Sequence, residues 1–263
     1  MNYHYTITRF LSICFGFSLL LSSCKYEELA KADYPQQVVY MPTARNGLYA
    51  INTISTSGTY RFTIDQVTKK VIIPLGVYRG GVSADGDVAV NIVANADTIS
   101  KLISSSALVG TTVLPADKLV LPASVTVEAA KNSAPFNLSI DLAYLLANPG
   151  QKLAIGVGID SPKAKINPLL KTTLISFDPS ILRATPNFST KADATSPKKI
   201  AFTNTSLNAV SYSWDFGDGT AAVADVAPVY TYADAGTYAV TLTATGITGS
   251  GDAVKKTMSI TIP

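Results

Sequence analysis

Trp214-Asp215-Phe216-Gly217-Asp218-Gly219-Thr220 is followed by Pro228, Tyr230 and Tyr232, and then by Gly236-Thr237-Tyr238-Ala239-Val240-Thr241-Leu242. Two large rings separated by one aspartate lie on the same face of an extended chain, with the carboxylate on the other. Gly217, Asp218 and Gly219 then supply a tight turn in which positive φ costs little. The same alternation pairs Ile200 with Phe202, Tyr212 with Trp214, Tyr238 with Val240, Leu242 and Ala244, and Met258 with Ile260 and Ile262. About eighty residues carrying strands of this kind suffice for one small immunoglobulin-like sandwich.

Toward the N-terminus the period stays at two. Val88, Val90 and Ile92 alternate with Asp87, Ala89 and Asn91; Val125 is spaced with Val127; Phe136, Leu138 and Ile140 alternate with Asn137, Ser139 and Asp141. Leu153, Ile155, Val157 and Ile159 continue the pattern with Gly156 and Gly158 opposite. Gly80-Gly81, Asp85-Gly86, Pro122 and Asn148-Pro149-Gly150 punctuate these runs, which predicts an antiparallel β-sandwich with a hairpin turn at Gly86. Asp97 to Ser105 and Asp141 to Leu146 read as single helical turns bridging the sheets, with Asp97 a candidate cap. From Asp178 to Pro186 alternation stops and two prolines occur, so a domain boundary is expected there. The expected fold is all-β, with two immunoglobulin-like β-sandwich domains in tandem over residues 37–178 and 186–263.

Composition narrows the chemistry. Of 263 residues, 47% are hydrophobic and 15% charged, which excludes a disordered or collagen-like chain. Net charge is only +3 with both signs scattered, so no basic stripe is present to follow a phosphate backbone and no nucleic-acid partner is expected. Arg9 precedes an apolar run from Phe10 through Leu21, too short for a bilayer core that needs roughly 20 residues, but suited to a signal peptide over residues 1–23. His4, Cys14 and Cys24 are the only histidine and cysteines. Leu21-Ser22-Ser23-Cys24 resembles a bacterial lipobox, and the cleavage before Cys24 and modification of its thiol that this implies would leave neither imidazole nor free thiol. A Ser-His-Asp triad, a Cys-His pair, a His- or Cys-ligated zinc and a stabilising disulfide would then all be excluded. Residues 24–36, which include Pro35, read as a short tether.

Four resemblances add to this reading. Leu21-Ser22-Ser23-Cys24 resembles the lipobox of bacterial lipoproteins, which implies a lipid anchor on Cys24 and the membrane as a partner. Lys25-Tyr26-Glu27-Glu28 is similar to the acidic export tag of Bacteroidota lipoproteins, implying display on the outer face of the outer membrane. The Trp214 to Leu242 pattern resembles the polycystic kidney disease (PKD) repeat, in which Tyr238 corresponds to a tyrosine that ties a sandwich corner. Val77-Tyr78-Arg79-Gly80-Gly81, the Asp87 to Ile92 strand, Leu114-Pro115, Lys152-Leu153 and Ile166-Asn167-Pro168 are similar to DUF1735, a domain of Bacteroidota surface lipoproteins. That resemblance implies a setting beside glycan-degrading or glycan-binding proteins and an outer-membrane importer.

Catalysis by carboxylates alone would need a buried or squeezed pair. Asp85 and Asp87 flank Gly86 on a solvent face, and the mature chain has only three Glu, two of them, Glu27 and Glu28, in the tether. No enzyme activity is therefore expected. Asp215 and Asp218 are too few for calcium, which takes six to eight oxygens, so turn and cap roles are expected and no metal or cofactor is assigned. The leading expectation is non-catalytic binding of carbohydrate or another extracellular polymer through Tyr40, Tyr49, Tyr60, Tyr78 and Arg79. For each tyrosine a half-buried place at a sheet edge is the competing reading, and for Arg79 simple solvation. The alternative function is a structural spacer or protein-contact module with an outer-membrane protein partner. Asp97-Thr98-Ile99 also resembles a three-residue O-glycosylation site of Bacteroidota exported proteins.

Overall fold

A computed structural model describes residues 37–53 and 59–263; the export segment, Cys24 and the tether lie outside the described residues. In the first domain the strands are β1 (Val38–Tyr40), β2 (Leu48–Ala50), β3 (Thr63–Asp65), β4 (Lys70–Gly80), β5 (Val88–Ala94) and β6 (Thr111–Val113). They continue with β7 (Leu119–Val120), β8 (Ser124–Val127), β9 (Ser133–Asp141), β10 (Lys152–Asp160), β11 (Lys165–Ile166) and β12 (Thr172–Phe177). One sheet runs β11-β1-β4-β9-β7 with β3 also on β4; the other runs β2-β12-β10-β5-β8 with β6 also on β10. The alternating residues face inward from both sheets: Val71, Ile73, Leu75 and Val77 of β4 and Phe136, Leu138 and Ile140 of β9 meet Val88, Val90, Ile155, Val157 and Ile175 across one core.

The long ladders are antiparallel as expected, but β1–β11, β6–β10 and β2–β12 pair parallel, so both sheets are mixed. These short strands come from distant parts of the chain, and their direction leaves no mark on local periodicity. Gly86 has φ 68° yet does not close a hairpin, because β4 and β5 belong to different sheets and the loop crosses between them.

Helix α1 (Ala96–Ser104) is longer than one turn, and its cap is Asn95 rather than Asp97: the Asn95 side chain accepts from the Thr98 amide at 3.1 Å. Asp97 lies inside the first turn, where a carboxylate complements the helix dipole. Ile99 is buried and Thr98 half-buried. The outward face of β10 is small for a reason visible at Gly156, where a Cβ would stand 2.7 Å from the Asn95 carbonyl oxygen. The Asn95 amide donates to the Gly156 carbonyl at 2.7 Å, so this glycine lets the capped helix rest on the sheet. Helix α2 (Leu142–Ala147) starts on Asp141, whose carboxylate accepts from the Tyr144 amide at 2.7 Å. Among the described residues, no helix is long and apolar enough to cross a membrane.

The second domain packs β13 (Phe188–Ala192), β14 (Lys199–Asn204) and β16 (Val229–Thr231) against β15 (Ser211–Asp215), β17 (Gly236–Thr245) and β18 (Val254–Ile262). Trp214 is fully enclosed, with Phe188 edge-on at 5.0 Å and Phe202 at 5.4 Å, and its indole N–H donates to the Asp225 carbonyl at 2.9 Å. From Phe216 a column of rings continues through Tyr230 (3.9 Å, stacked) and Tyr232 to Tyr238 (4.3 Å, stacked). Tyr238 ties the corner by donating its hydroxyl to the Asp234 carbonyl at 3.0 Å. Such pairs add about 0.5–1.5 kcal/mol each beyond the area they bury.

The segment that breaks the alternation is a built joint. Asp178 caps a 3-10 turn, Pro179–Leu182, whose Leu182 is buried in the first core. From the second domain, Ile247 packs on that core, the Thr248 hydroxyl donates to the Leu182 carbonyl at 3.2 Å, and Gln66 Nε2 donates to the Thr248 carbonyl at 2.9 Å. Gly246 permits the approach, since a Cβ there would stand 3.0 Å from the Leu182 carbonyl oxygen and the Ala184 amide nitrogen.

Two glycines of the Trp214 turn should behave differently. Gly217 has φ 78° and a Cβ there would stand 2.7 Å from the Ala239 carbonyl oxygen, whereas Gly219 has φ 84° with open space around it. Gly219→Ala is expected to cost about 1 kcal/mol in urea unfolding from backbone strain alone, and Gly217→Ala about 3 kcal/mol or more. Equal costs would mean that the contact with Ala239 is irrelevant.

Candidate functional site

Among the described residues, the longest strand of the first sheet is paired along most of its length on one side only. Strand β4 pairs with β9 from Lys70 to Tyr78 on one side. On the other side β3 covers only Lys70 to Ile72 and β1 only Tyr78 to Gly80. Among the described residues, Ile73 to Val77 therefore have no strand on that side. Pro74 sits in this gap, where its missing N–H removes no ladder bond on the open side. After β1 the chain leaves the sheet through Met41, whose amide donates to the Leu170 carbonyl at 2.8 Å, and runs on as a 3-10 turn from Pro42 to Asn46.

The resulting depression, about 300 Å3, is lined by Pro42, Thr43, Pro74, Gly76, Tyr78 and Pro135, with Ser133 at its rim. Among the described residues, no charged side chain lines it. Alternation along β4 turns Pro74, Gly76, Tyr78 and Gly80 outward while Ile73, Leu75 and Val77 face the core. Register places Tyr40 directly beside Tyr78, with ring centroids 6.1 Å apart, and Ser133 on its other flank. Each ring lies over a glycine: Tyr78 Cε2 is 3.3 Å from where a Gly76 Cβ would be, and Tyr40 Cε1 is 3.5 Å from that of Gly80. The glycines let the tyrosines lie down on the sheet, and Tyr78 remains 42% exposed.

Of the five residues singled out from the sequence, the structure brings together Tyr40 and Tyr78. Tyr49 and Tyr60 are elsewhere and pack against the first core: Tyr60 stacks on Phe62 at 5.3 Å, and the Arg61 guanidinium covers the Tyr49 ring at 5.0 Å. Arg79 is neither solvated nor open to a ligand. It points inward from β4, is 4% exposed, and donates to the backbone carbonyls of Gly86, Glu128 and Lys131 at 2.8, 2.8 and 3.1 Å. It clamps the β4–β5 and β8–β9 loops at one end of the sandwich. Pro74, Gly76 and Pro135 were not singled out from the sequence, although the alternation of Ile73 to Gly80 already assigns Pro74 and Gly76 to the face of Tyr78.

The aspartates of the Trp214 motif hold turns. Asp215 Oδ1 accepts from the Gly217 amide at 2.9 Å; Asp218 accepts from the Thr220 amide at 3.1 Å, the Thr220 hydroxyl at 2.7 Å and the Tyr230 hydroxyl at 2.6 Å. The Tyr230 hydroxyl holds the Asp218 carboxyl below the usual carboxylate range, and that carboxylate in turn pushes the Tyr230 phenol up. Burial raises the Tyr232 phenol, whose hydroxyl donates to the Phe216 carbonyl at 3.1 Å. Among the described residues, no group of three or more His, Cys, Asp or Glu side chains is arranged to hold a metal ion.

Comparison with known proteins agrees with both halves. A family model for an N-terminal domain matches residues 34–166, about half of the chain, and the PKD domain model matches residues 178–262. The chain belongs to the DUF1735 family and carries a C-terminal PKD domain. The pre-pro-metalloprotease PrtV of Vibrio cholerae is 43% identical over 56 residues, which are 21% of this chain and 6% of that protein. This chain thus spans only a small fraction of that curated relative. The crystal structure of the PrtV PKD1 domain is 33% identical, covering 30% of this chain and 96% of that one, with a TM-score of 0.27. A multidomain protein including DUF1735 from Bacteroides ovatus is 14% identical, covering 78% of this chain and 60% of that one, with a TM-score of 0.38.

Two substitutions test these assignments. Arg79→Met should lower first-domain stability by about 2–3 kcal/mol in urea unfolding, because three loop carbonyls lose their donors; a change within experimental error would make the clamp dispensable. For Asp218 the folded pKa is depressed, so its contribution to stability is present above the ordinary carboxylate pKa and lost as pH falls through the folded value. In Tyr230→Phe, carboxyl NMR should find Asp218 titrating closer to the ordinary ~3.9, with acid unfolding starting at higher pH. An Asp218 titration identical to wild type would show that the phenol does not set it.

Proposed function

We propose that this chain is a non-catalytic protein of the cell envelope whose first domain binds an uncharged extracellular polymer, with carbohydrate the foremost candidate, along the gap beside β4. The observation carrying this reading is the tyrosine pair laid over Gly76 and Gly80 next to a depression with proline walls and no charged lining. Sugar rings present C–H faces that stack on flat aromatic rings, while their hydroxyls need neutral hydrogen-bond partners. Ser133 and the exposed Asn137 on β9 offer such partners, and the open side of Ile73 to Val77 offers backbone groups to a chain lying lengthwise. The lack of charge at the site favours neutral sugars over uronic acids or sulfated glycans.

The lipid anchor on Cys24, outward display and service to a glycan importer belong to the same proposal and rest on the sequence of residues 1–28. In this reading the PKD domain is a stiff mount. The contacts of Thr248, Ile247 and Gln66 across the joint support that role, since they fix the platform's orientation relative to the C-terminal domain.

Affinity electrophoresis against a set of neutral polysaccharides tests the proposal. At least one should retard the protein saturably, and Tyr78→Ala should weaken that retardation about tenfold, the equivalent of losing one stacked ring. Lys191→Ala on the second domain should leave it unchanged. Indifference to every polysaccharide, together with co-purification of another envelope protein, would favour the spacer role.

A further inference from the structure

The edges of the sheets are unequal. Strands that end a sheet or hang from its side are short: β11 and β7 have two residues, β2, β3, β6 and β16 three, β8 four, and β13 and β15 five. The outer side of β15 is also closed, because Val223 exchanges backbone hydrogen bonds with Trp214 at 2.7 and 2.9 Å. Strand β18 differs. It has nine residues, pairs from Val254 to Ile262 with β17, and among the described residues pairs with no strand on its other side.

A long edge strand is a template for another strand unless the sequence blocks it with proline, charge or a bulge. Here the block is partial. Thr257 to Ile262 contain no charge, proline or glycine. Lys256 donates to Asn187 Oδ1 of its own domain, which leaves Lys255 as the exposed cation. On the inner face Met258 and Ile260 pack against the core but stay half-buried, as expected for a sheet that stops one strand too early. On the outer face Thr257 and Thr261 are tied to Thr241 and Thr237 through their hydroxyls at 2.9 and 3.3 Å, which joins the edge strand to β17 by side chains as well as backbone.

We propose that β18 pairs antiparallel with β18 of a second copy of this chain, joining two three-stranded sheets into one of six strands. The charge pattern selects this occupant. Full overlap puts the two-fold axis at Met258, so that Thr257 faces Ser259 of the partner subunit, Lys255 faces Thr261 of the partner subunit and Lys256 faces Ile260 of the partner subunit. No lysine then opposes a lysine. Hydroxyl meets hydroxyl on the outer face, and Met258 meets its own mate on the inner face, where half-exposed apolar surface becomes covered. One strand pair buries less than a standard interface, so the dimer is concentration-dependent. It also places two first domains on one assembly, so that a repetitive polymer could be held at two points with the gain of linked sites.

Sedimentation velocity of the purified protein across about 10 µM to 1 mM tests this. Wild type should pass from monomer to dimer. Thr257→Lys/Ser259→Lys sets two lysine pairs across the axis and should weaken dimerisation about tenfold or more, while Thr257→Glu/Ser259→Lys sets opposite charges across it and should restore it. Thr257 and Ser259 are both exposed, and circular dichroism should find the same fold in each variant. A wild-type protein that stays monomeric throughout, or a dimer indifferent to the double lysine substitution, would overturn the proposal.

Discussion

Among the described residues no strand lies beside Ile73 to Val77 on the side away from β9, and the character of that whole face follows from this gap. A complete sheet would have no room for Pro74 in a central strand and no trough between the 3-10 turn at Pro42 and the tyrosine pair. With β3 and β1 each covering only one end of β4, the middle of the strand is an edge inside a sheet. Natural edges are protected by proline, and Pro74 and Pro135 stand there. Gly76 and Gly80 remove side chains where the rings must lie flat. The platform is thus a sheet defect lined by residues that tolerate it, carried on a core of branched aliphatic side chains.

The second domain supplies rigidity by different means. Its core is aromatic: rings from Phe188 to Tyr238 touch in sequence around Trp214, and their polar atoms end on backbone carbonyls at Asp225, Phe216 and Asp234 and, for Tyr230, on the Asp218 carboxylate. The stiffness extends across the joint, since Leu182 belongs to the first core while its carbonyl serves Thr248 of the second domain. A binding face on one sandwich and a mount in the other become one object through a handful of contacts, which also set how the free edge of β18 is presented.

Legibility in the sequence followed the range of the interactions. The Trp214 motif announced its own turn, because an aspartate accepting from amides two residues onward and glycines at positive φ are local events. The two domain cores were readable as alternation. Helix α1 was readable as a helix but not by its cap, since Asn95 and Asp97 are chemically interchangeable as acceptors and only the chain path chose between them. Arg79 was misread for a similar reason. Its neighbours Gly80 and Gly81 suggested an open loop, yet the carbonyls that receive its guanidinium are 7, 49 and 52 residues away.

The amino-acid sequence by itself determined the all-β class, the division between an aliphatic and an aromatic core, and the turn chemistry, because periodicity and φ preference act over a few residues. Tertiary structure alone decided which strands stand side by side: that Tyr40 lies against Tyr78, that Tyr49 and Tyr60 serve the core instead, and, among the described residues, that three strand pairs run parallel and β18 has no partner on its outer side. Register between distant strands is selected by the packing of the whole interior, and no local window contains that energy.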